Sequence, residues 1–252
     1  MDLCESQPSP FRRHPWEIAR LEAVKDILEI LNISKNPTDG LDIGCGDGFI
    51  GKELSASLPL RTYTGIDPNL SAARREEMSI PKRGIFFLND YRDLDDNRYS
   101  LVLMLDVLEH VEYDRRFLAD LVDRHAISGG HFLITVPAFP CLFGDHDRFL
   151  KHYRRYRRSE LIRLIEDARL ICVAHGYMFT SLLLVREISS ICGKLFPPKT
   201  KRDMGVGNWD WGEFLSKGIG RFLRIDNWIS SILNRIGIKL PGLTIWALCK
   251  KP

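Results

Sequence analysis

Three glycines at alternate positions, directly after a short apolar run, constrain the fold of this chain more than any other feature. They lie in LDIGCGDGFIG, residues 41–51. Glycine loses more backbone entropy on folding than other residues, so three of them at the end of a strand carry a cost. Such a cost is expected where something large lies against the backbone, because glycine has no Cβ. We therefore predict a strand that ends in a ligand-binding turn.

Strand-like and helix-like segments alternate along most of the chain. The predicted strands are near-continuous apolar runs, such as YSLVLMLD at 99–106 and HFLITVP at 131–137, which indicates a sheet buried on both faces. Segments such as WEIARLEAVKDILEIL at 16–31 have the apolar spacing of a helix. This alternation is typical of an α/β fold with a doubly wound parallel sheet, and a glycine-rich turn after its first strand lies where such sheets bind cofactors.

The whole chain, residues 1–252, is predicted to be a single domain with four parts. Residues 1–38 would form an N-terminal helical lid, 39–178 the cofactor-binding core, 179–241 a helical cap or insertion, and 242–252 the last strand.

The insertion breaks the alternation with two apolar helices, predicted at 179–195 and 213–236. The second helix is expected to bury one apolar face, made of Phe222, Leu223, Ile225, Trp228, Ile229, Ile232, Leu233 and Ile236. Three partners for these helices are compatible with the sequence. They are the sheet, with an acceptor pocket beneath; a second subunit, giving a homodimer; or a membrane surface, because Lys and Arg line the polar side. We favour the cap, with peripheral membrane contact second.

Composition limits the compartment and the partners. The formal net charge of +3 is too small to indicate nucleic-acid binding by itself. None of the six cysteines has the spacing of a metal site or a disulfide framework. No apolar segment reaches the ~18 residues of a membrane span, and the first residues lack the apolar core of a signal peptide. These features predict a cytoplasmic protein with no nucleic-acid partner.

The glycine turn also discriminates between cofactors. A dinucleotide-binding turn needs G-x-G-x-x-G, but Phe49 stands in place of the third glycine, and the GK[S/T] of a P-loop is absent. What remains is an acid, Asp42, before G-x-G-x-G, with Asp67 and Asp90 at the ends of the next two strands. The arrangement resembles motif I of the class I S-adenosylmethionine-dependent methyltransferases, and the resemblance extends over residues 40–175.

The resemblance implies a fold, a cofactor and the residues that bind it. The fold would be a seven-stranded Rossmann-like sheet, mostly parallel, with an antiparallel last strand beside the sixth. The cofactor would be S-adenosylmethionine, with its α-ammonium group on Asp42, its ribose hydroxyls on Asp67 and its adenine amino group on Asp90. Cys45 is interpreted as a small filler, because no base lies near it in sequence. The predicted cofactor-binding residues are Asp42, Gly44, Cys45, Gly46, Gly48, Asp67, Pro68, Asp90, Tyr91 and Asp106.

The acceptor side is predicted after the fourth strand, where DVLEH places Asp106, Glu109 and His110 within one turn. One interpretation is structural, with these side chains orienting the turn and packing near the cofactor. The other rests on the resemblance of D-x-x-E-H to the magnesium site of small-RNA 2′-O-methyltransferases and ubiquinone-pathway O-methyltransferases. There, Mg²⁺ would acidify an acceptor hydroxyl, and His152 or His146 would complete the site. We predict His110 and His152 as catalytic residues, one of them the base, and assign no metal ligands.

The basic segment HDRFLKHYRRYRRSEL at 146–161 has two interpretations. Its arginines could bind a carboxylate or phosphate of the acceptor, because guanidinium groups match such anions bidentately. Alternatively, it is a solvated approach to the next helix, with Ser159 as the N-cap and Glu160 in the first turn. The basic residues are Lys151, His152, Arg154, Arg155, Arg157 and Arg158.

Two motifs resemble a bacterial group of class I methyltransferases whose acceptor is unknown. That group has HPWE near the start and HDxxxxHYRRY after the fifth strand, and this chain has FRRHPWEIAR at 11–20 and HDRFLKHYRRY at 146–156. An N-terminal helix of this kind closes over the cofactor. The resemblance therefore makes His14, Trp16 and Arg20 lid candidates.

Taken together, these patterns predict an S-adenosylmethionine-dependent methyltransferase that O-methylates a small-molecule or lipid-linked acceptor. One alternative is an RNA 2′-O-methyltransferase with a metal-assisted site, which the modest charge and the apolar insertion disfavour. The other is a cofactor-binding regulator without catalysis, since binding does not prove turnover.

Overall fold

The computed structural model describes residues 13–31, 38–94, 97–186 and 212–252. The strands within them are β1 Thr38–Ile43, β2 Leu60–Ile66, β3 Ile85–Leu88, β4 Tyr99–Leu105, β5 Ala126–Pro137, β6 Ile171–Met178 and β7 Thr244–Lys250. The helices are α1 Pro15–Glu29, α2 Phe49–Ser57, α3 Ala72–Met78, α4 Asp114–His125, α5 Asp145–Phe149, α6 Arg158–Asp167 and α7 Gly212–Arg235, and residues 180–186 are also helical.

The seven strands form one sheet in the order β3-β2-β1-β4-β5-β7-β6. β7 runs antiparallel to both β5 and β6, and the other pairs are parallel. The predicted fold, including the antiparallel last strand, is therefore confirmed. The strand order reverses between β1 and β4, which pair with Ile43 opposite Met104. A doubly wound sheet binds ligands at the carboxyl ends of its strands beside such a reversal.

Helices cover both faces of the sheet. Residues of β4 alternate between the two resulting cores, because successive side chains of a strand point to opposite faces. Val102 and Met104 lie in the core beneath α4 and α6, whereas Leu101 and Leu103 lie in the core shared with α1 and α7. The near-continuous apolar strands are thus explained by burial on both sides.

The start of α6 corrects one prediction. The helix begins at Arg158 with Arg157 as its N-cap, so Ser159 is not the cap. Glu160 lies in the first turn as predicted, and its Oε2 accepts a hydrogen bond of 2.8 Å from the backbone N–H of Arg157. The carboxylate of Glu160 thereby satisfies the backbone N–H of the N-cap residue, Arg157, without a contribution from Ser159.

The predicted buried face of α7 is wrong. Of the eight apolar residues expected on that face, Leu223 is buried, with 2% of its surface exposed, whereas Trp228 is 58% exposed. The helix instead packs through the small or polar residues Gly220, Asn227 and Ser230. Helical periodicity identifies an apolar face but not the side on which the rest of the protein lies.

The structure describes only part of the insertion. The part of the predicted 179–195 helix that follows residue 186, and the loop up to residue 211, lie outside the described residues. Within the described ranges, no helix combines the length and apolarity needed to cross a bilayer.

Candidate functional site

The glycine turn after β1 has a backbone that other residues rarely adopt. Gly44, Gly46 and Gly48 have φ values of +70°, +56° and +73°. A Cβ on Gly44 would lie 2.7 Å from Val107 Cγ2, and one on Gly48 would lie 2.7 Å from Met78 Cε. The turn therefore needs glycine for its own conformation and packing, in addition to any ligand that lies against it.

Asp42 lies in the last part of β1, at a cavity beside this turn. Its buried carboxylate accepts a hydrogen bond of 2.7 Å from the Tyr63 hydroxyl. Burial raises the pKa of Asp42 to about 6, although the Tyr63 bond and the charge of Arg20 act in the opposite direction. The carboxylate is thus poised for a cationic ligand group, which would offset its desolvation. The cavity is lined by Arg20, Asp42, Gly44, Cys45, Asp47, Phe49, Ile50 and Leu105.

Asp67 joins the end of β2 to the glycine turn. Its Oδ2 accepts a hydrogen bond of 3.0 Å from the backbone N–H of Gly46, and its Oδ1 accepts one of 2.9 Å from that of Asn69. Each carboxylate oxygen has two lone pairs, so these bonds leave acceptor capacity on both. The exposed Pro68 follows directly. Asp67 therefore shapes the turn and remains able to bind a ligand hydroxyl.

Asp90 and Tyr91 lie beyond the carboxyl end of β3, farther along the same sheet edge. The Asp90 carboxylate accepts hydrogen bonds from its neighbour Arg92, whose side chain lowers the pKa of Asp90. The Tyr91 ring packs edge-on against Phe117, with ring centres 5.4 Å apart. These two predicted residues therefore follow β3, which lies two strands away from β1 and its glycine turn in the sheet.

Cys45 is a packing residue in this structure. It is buried between the glycines, and burial together with the nearby carboxylates of Asp42 and Asp67 raises the pKa of its thiol far above the usual range. A thiol that stays protonated is not a nucleophile. The geometry agrees with the interpretation of Cys45 as a small filler.

Two arginines, Arg20 in α1 and Arg13 just before it, connect the N-terminal segment with the region of the glycine turn. Arg20 is buried and forms an ion pair of 2.9 Å with the Oδ2 of Asp106. Arg13 forms an ion pair with Asp47, and its guanidinium lies 4.1 Å above the centre of the Phe49 ring. Sequence reasoning singled out Arg20 but missed Arg13, although both lie in the FRRHPWEIAR segment.

The other two lid candidates have local roles. The ring Nδ1 of His14 accepts a hydrogen bond of 3.1 Å from the backbone N–H of Trp16, which caps α1. The Trp16 ring packs near Phe179, with ring centres 6.0 Å apart. Of the three candidates, Arg20 is the one that lines the cavity beside the turn.

Asp106 lies at the carboxyl end of β4 in a strained conformation, with φ of +57°. Its Oδ1 accepts a hydrogen bond of 2.8 Å from the Thr135 hydroxyl, and its Oδ2 faces Arg20. Asp106 therefore links α1, β4 and β5 near the cavity. The metal hypothesis placed it beside Glu109 and His110, but it is not in the group of potential ligands that the described residues bring together.

That group consists of Glu109, His110 and His152. One potential ligand atom from each lies within 4.8 Å of the others. The two imidazole rings are edge-on, with centres 4.5 Å apart, and the backbone N–H of Tyr153 donates a 2.7 Å hydrogen bond to the Glu109 carbonyl. The DVLEH turn and the basic segment, which the metal hypothesis joins through His110 and His152, therefore lie together in the structure. His146, the other candidate, lies in α5 outside this group.

Glu109 is the most unusual member of the group. It is fully buried, and neither carboxyl oxygen has a hydrogen-bond partner in the described part of the chain. Burial and the negative charge of Asp106 raise the pKa of Glu109 well above its usual range, which favours the neutral carboxyl group. Two imidazoles with one carboxylate suit a borderline metal better than Mg²⁺, which prefers oxygen ligands. A magnesium site here stays a prediction.

His152 is held by a buried carboxylate that sequence reasoning missed. The ring Nδ1 lies 3.0 Å from Oδ1 of Asp147, which also accepts a 2.7 Å hydrogen bond from Arg155 Nε, and Arg186 lies 3.4 Å from its Oδ2. Burial opposes ionisation of Asp147, but the bond to His152 and the charge of Arg155 outweigh it and lower its pKa. An ionised Asp147 keeps the proton on Nδ1, which leaves the Nε2 lone pair of His152 as an acceptor. The sequence signal that could have identified Asp147 is its position as an acid within the basic segment at 146–161.

The anion pocket predicted in the basic segment is not assembled. Arg155 is buried against Asp147, and Arg154 lies 3.1 Å from Oδ2 of Asp114 and donates a hydrogen bond of 2.6 Å to the Glu112 carbonyl. The remaining cationic side chains are exposed; they are Lys151, Arg157 and Arg158. The two internal pairs use the guanidinium groups to hold the segment in place.

The chain is similar to a known protein family and to several known proteins. Residues 16–186, more than half of the chain, match the model of a family described as a methyltransferase domain. The chain is 32% identical over 115 residues to the mitochondrial ubiquinone biosynthesis O-methyltransferase of Candida albicans, which is 43% of this chain and 35% of that protein. It is 29% identical over 97 residues to the ubiquinone biosynthesis O-methyltransferase of Rickettsia conorii, 38% of this chain and 33% of that protein.

The aligned stretch thus spans about a third of the length of each of these relatives. Among solved structures, an S-adenosylmethionine-dependent methyltransferase from Archaeoglobus fulgidus is similar with a TM-score of 0.53, covering 92% of this chain and 94% of that one at 17% identity. At that identity the likeness concerns the fold.

Proposed function

The chain belongs to the methyltransferase-domain family, and from that premise we propose that it methylates a hydroxyl group of a small-molecule or lipid-linked acceptor. S-adenosylmethionine is the methyl donor. When bound, it supplies a methyl group on a sulfonium sulfur, an electrophile for an oxygen nucleophile. The remaining chemistry, which is to bind, orient and deprotonate the acceptor, falls to residues of this chain.

The residues around the glycine turn fit this donor. The cavity contains the buried carboxylate of Asp42, whose raised pKa reflects desolvation that a cationic ammonium group would offset. Asp67 retains acceptor capacity for ribose hydroxyls, and Asp90 with Tyr91 would contact the adenine. Asp106, through Arg20, would close the site under α1. These assignments are proposals that rest on position at the strand ends.

The observation that carries the proposal of O-methylation is the Asp147–His152 pair. A hydroxyl must lose a proton as it attacks, and a neutral imidazole is suited to accept that proton. Asp147 holds the His152 ring by Nδ1 at 3.0 Å, which directs the basic Nε2 away from the carboxylate. We assign His152 as the base and His110, whose ring lies against it, as a second acceptor-side residue.

The relatives indicate the class of acceptor. Both similar curated proteins are O-methyltransferases of ubiquinone biosynthesis, and a ubiquinone is a ring compound that carries methoxy groups and an isoprenoid chain. We therefore propose a hydroxylated aromatic acceptor, with or without an isoprenoid chain. The motifs shared with the bacterial HPWE group would place this chain in that subgroup, whose acceptor is unknown.

A labelled methyl group tests the proposal. The full-length chain is incubated with S-adenosylmethionine carrying a ¹³C methyl and with phenols that bear or lack an isoprenoid chain, and the product is examined by NMR. We expect a methyl-ether resonance that is lost in His152→Gln. A methylamine or carbon-bound methyl resonance, or transfer to an RNA oligonucleotide but to no phenol, would contradict it.

The same assay separates the remaining alternatives. Full activity in the presence of a chelator is expected if His152 acts as the base without a metal, whereas loss with recovery on adding magnesium would favour the metal-assisted site. Binding of S-adenosylhomocysteine without turnover on any hydroxyl acceptor would favour a regulator that does not catalyse.

A further inference from the structure

Helix α7 presents an apolar face to solvent. Seven large apolar side chains of α7, and Ile236 directly after its last residue, recur at helical spacing and are exposed, among them Phe214 at 91%. Monomeric proteins seldom expose contiguous apolar patches of this kind unless the patch binds something. The exposed residues are Phe214, Leu215, Phe222, Ile225, Trp228, Ile229, Ile232 and Ile236.

The orientation of α7 is set by polar contacts on its opposite side. Asn227 accepts a 2.9 Å hydrogen bond from the backbone N–H of Phe179, and Asp226 accepts one of 2.9 Å from the Ser181 hydroxyl. Arg224 lies 3.2 Å from Glu22 on α1. Several directional contacts thus fix which face points inward, so the outward apolar face is a consequence of specific packing.

The charges of α7 are distributed unevenly around the helix. Lys217, Arg221, Arg224 and Arg235 share one flank of the apolar face, because the spacings between them correspond to nearly whole numbers of helical turns. Two of these cations are paired, Lys217 with Glu213 at 2.6 Å and Arg224 with Glu22 at 3.2 Å, and the acid Asp226 is turned inward to Ser181. With four cations and two acids, α7 carries a net charge of +2.

We propose that α7 binds the surface of an anionic membrane, lying in the plane of the interface. The apolar face would enter the headgroup region while the basic flank contacts anionic lipid, which is the arrangement of interfacial amphipathic helices. The net positive charge of the helix argues for this occupant over a second copy of the chain, because two copies of a cationic helix packed face to face would repel each other. The inference goes beyond the proposed methylation and does not depend on it.

Co-sedimentation with vesicles tests the proposal. The full-length chain is mixed with vesicles of phosphatidylcholine alone or of phosphatidylcholine and phosphatidylglycerol in equal parts. We expect binding to the anionic vesicles, weakened by added salt, and loss of binding in Ile225→Gln/Trp228→Gln/Ile232→Gln. A matched control is Ile171→Gln/Val173→Gln, which changes two exposed apolar residues on β6 and should bind as the unaltered chain does.

A second variant tests the basic flank. Lys217→Gln/Arg221→Gln/Arg235→Gln should weaken binding to the anionic vesicles by about fivefold for each cation removed. Thermal unfolding and S-adenosylhomocysteine binding of every variant confirm that it is folded, which is expected because the changed side chains are exposed.

Two results would overturn the proposal. One is vesicle binding that is absent in the unaltered chain or equal in the apolar-face variant. The other is a concentration-dependent dimer, seen by sedimentation velocity without lipid and abolished by the same apolar-face substitutions, which would assign the face to a second copy of the chain.

Discussion

At the scale of single residues, one buried carboxylate determines what His152 can do. Asp147 is fully buried and contacts His152, Arg155 and Arg186. The nearby charge of Arg155 helps to keep Asp147 ionised against its burial, and an ionised carboxylate accepts the Nδ1 proton of His152 more strongly than a neutral acid does. Of the arginines that resembled an anion pocket, Arg155 therefore acts on a carboxylate of the chain itself. Its role depends on a tertiary contact, which is why the sequence did not predict it.

Asp42 gives a pH dependence that can be measured. Its pKa in the ligand-free protein is raised to about 6 by burial, so lowering the pH below that value neutralises the carboxylate that would bind the ligand's ammonium group. Affinity for S-adenosylhomocysteine, measured by calorimetry, should fall below pH 6 by up to about tenfold per pH unit. In Asp42→Asn the affinity should be low and independent of pH over this range. The same slope in that variant would assign the titration to another group.

At the scale of elements, the glycine turn owes its sequence to conformation and packing together. Gly48 has φ of +73° and no room for a Cβ beside Met78 and Phe87, whereas Gly129 has φ of +79° with nothing within 4 Å of a Cβ. Gly129→Ala therefore isolates the conformational cost, roughly 1–2 kcal/mol.

Gly48→Ala should lower the free energy of unfolding further, by about 1–3 kcal/mol beyond that of Gly129→Ala, because it also crowds the core. Urea denaturation of both variants measures the difference. Equal losses would show that the neighbours of Gly48 move aside without cost.

The ends of a helix can be predicted from the sequence more readily than the face that it buries. The helix predicted at 16–31 lies within two residues of the observed ends of α1, Pro15 and Glu29, because its apolar spacing is a local signal. The face of α7 was predicted wrongly because burial depends on which element lies opposite. Gly220 and Asn227, a small and a polar residue, make that contact, and neither stands out in a search for apolar periodicity.

At the scale of the whole molecule, the sheet was the most predictable part. Apolar strands alternating with helices, a glycine turn after β1 and acids after β2 and β3 are all read along the chain, and they predict a donor site at the reversal between β1 and β4. The cluster proposed for the acceptor side was predictable in part. His110 and His152 stand out in the sequence, but Asp147 and Arg186 join them only once the segment after β5 and residues 180–186 fold together.

The most direct test of the central claim is a double-mutant cycle of kcat for methyl transfer to a hydroxyl acceptor, with His152→Gln, Asp147→Asn and the two combined. Affinity for S-adenosylhomocysteine serves as the control for folding. If Asp147 acts by orienting the base, His152→Gln should lower kcat by about 10²–10⁴, and the combined variant should be no slower than His152→Gln alone. A wild-type kcat in His152→Gln, or losses that multiply in the combined variant, would contradict the account.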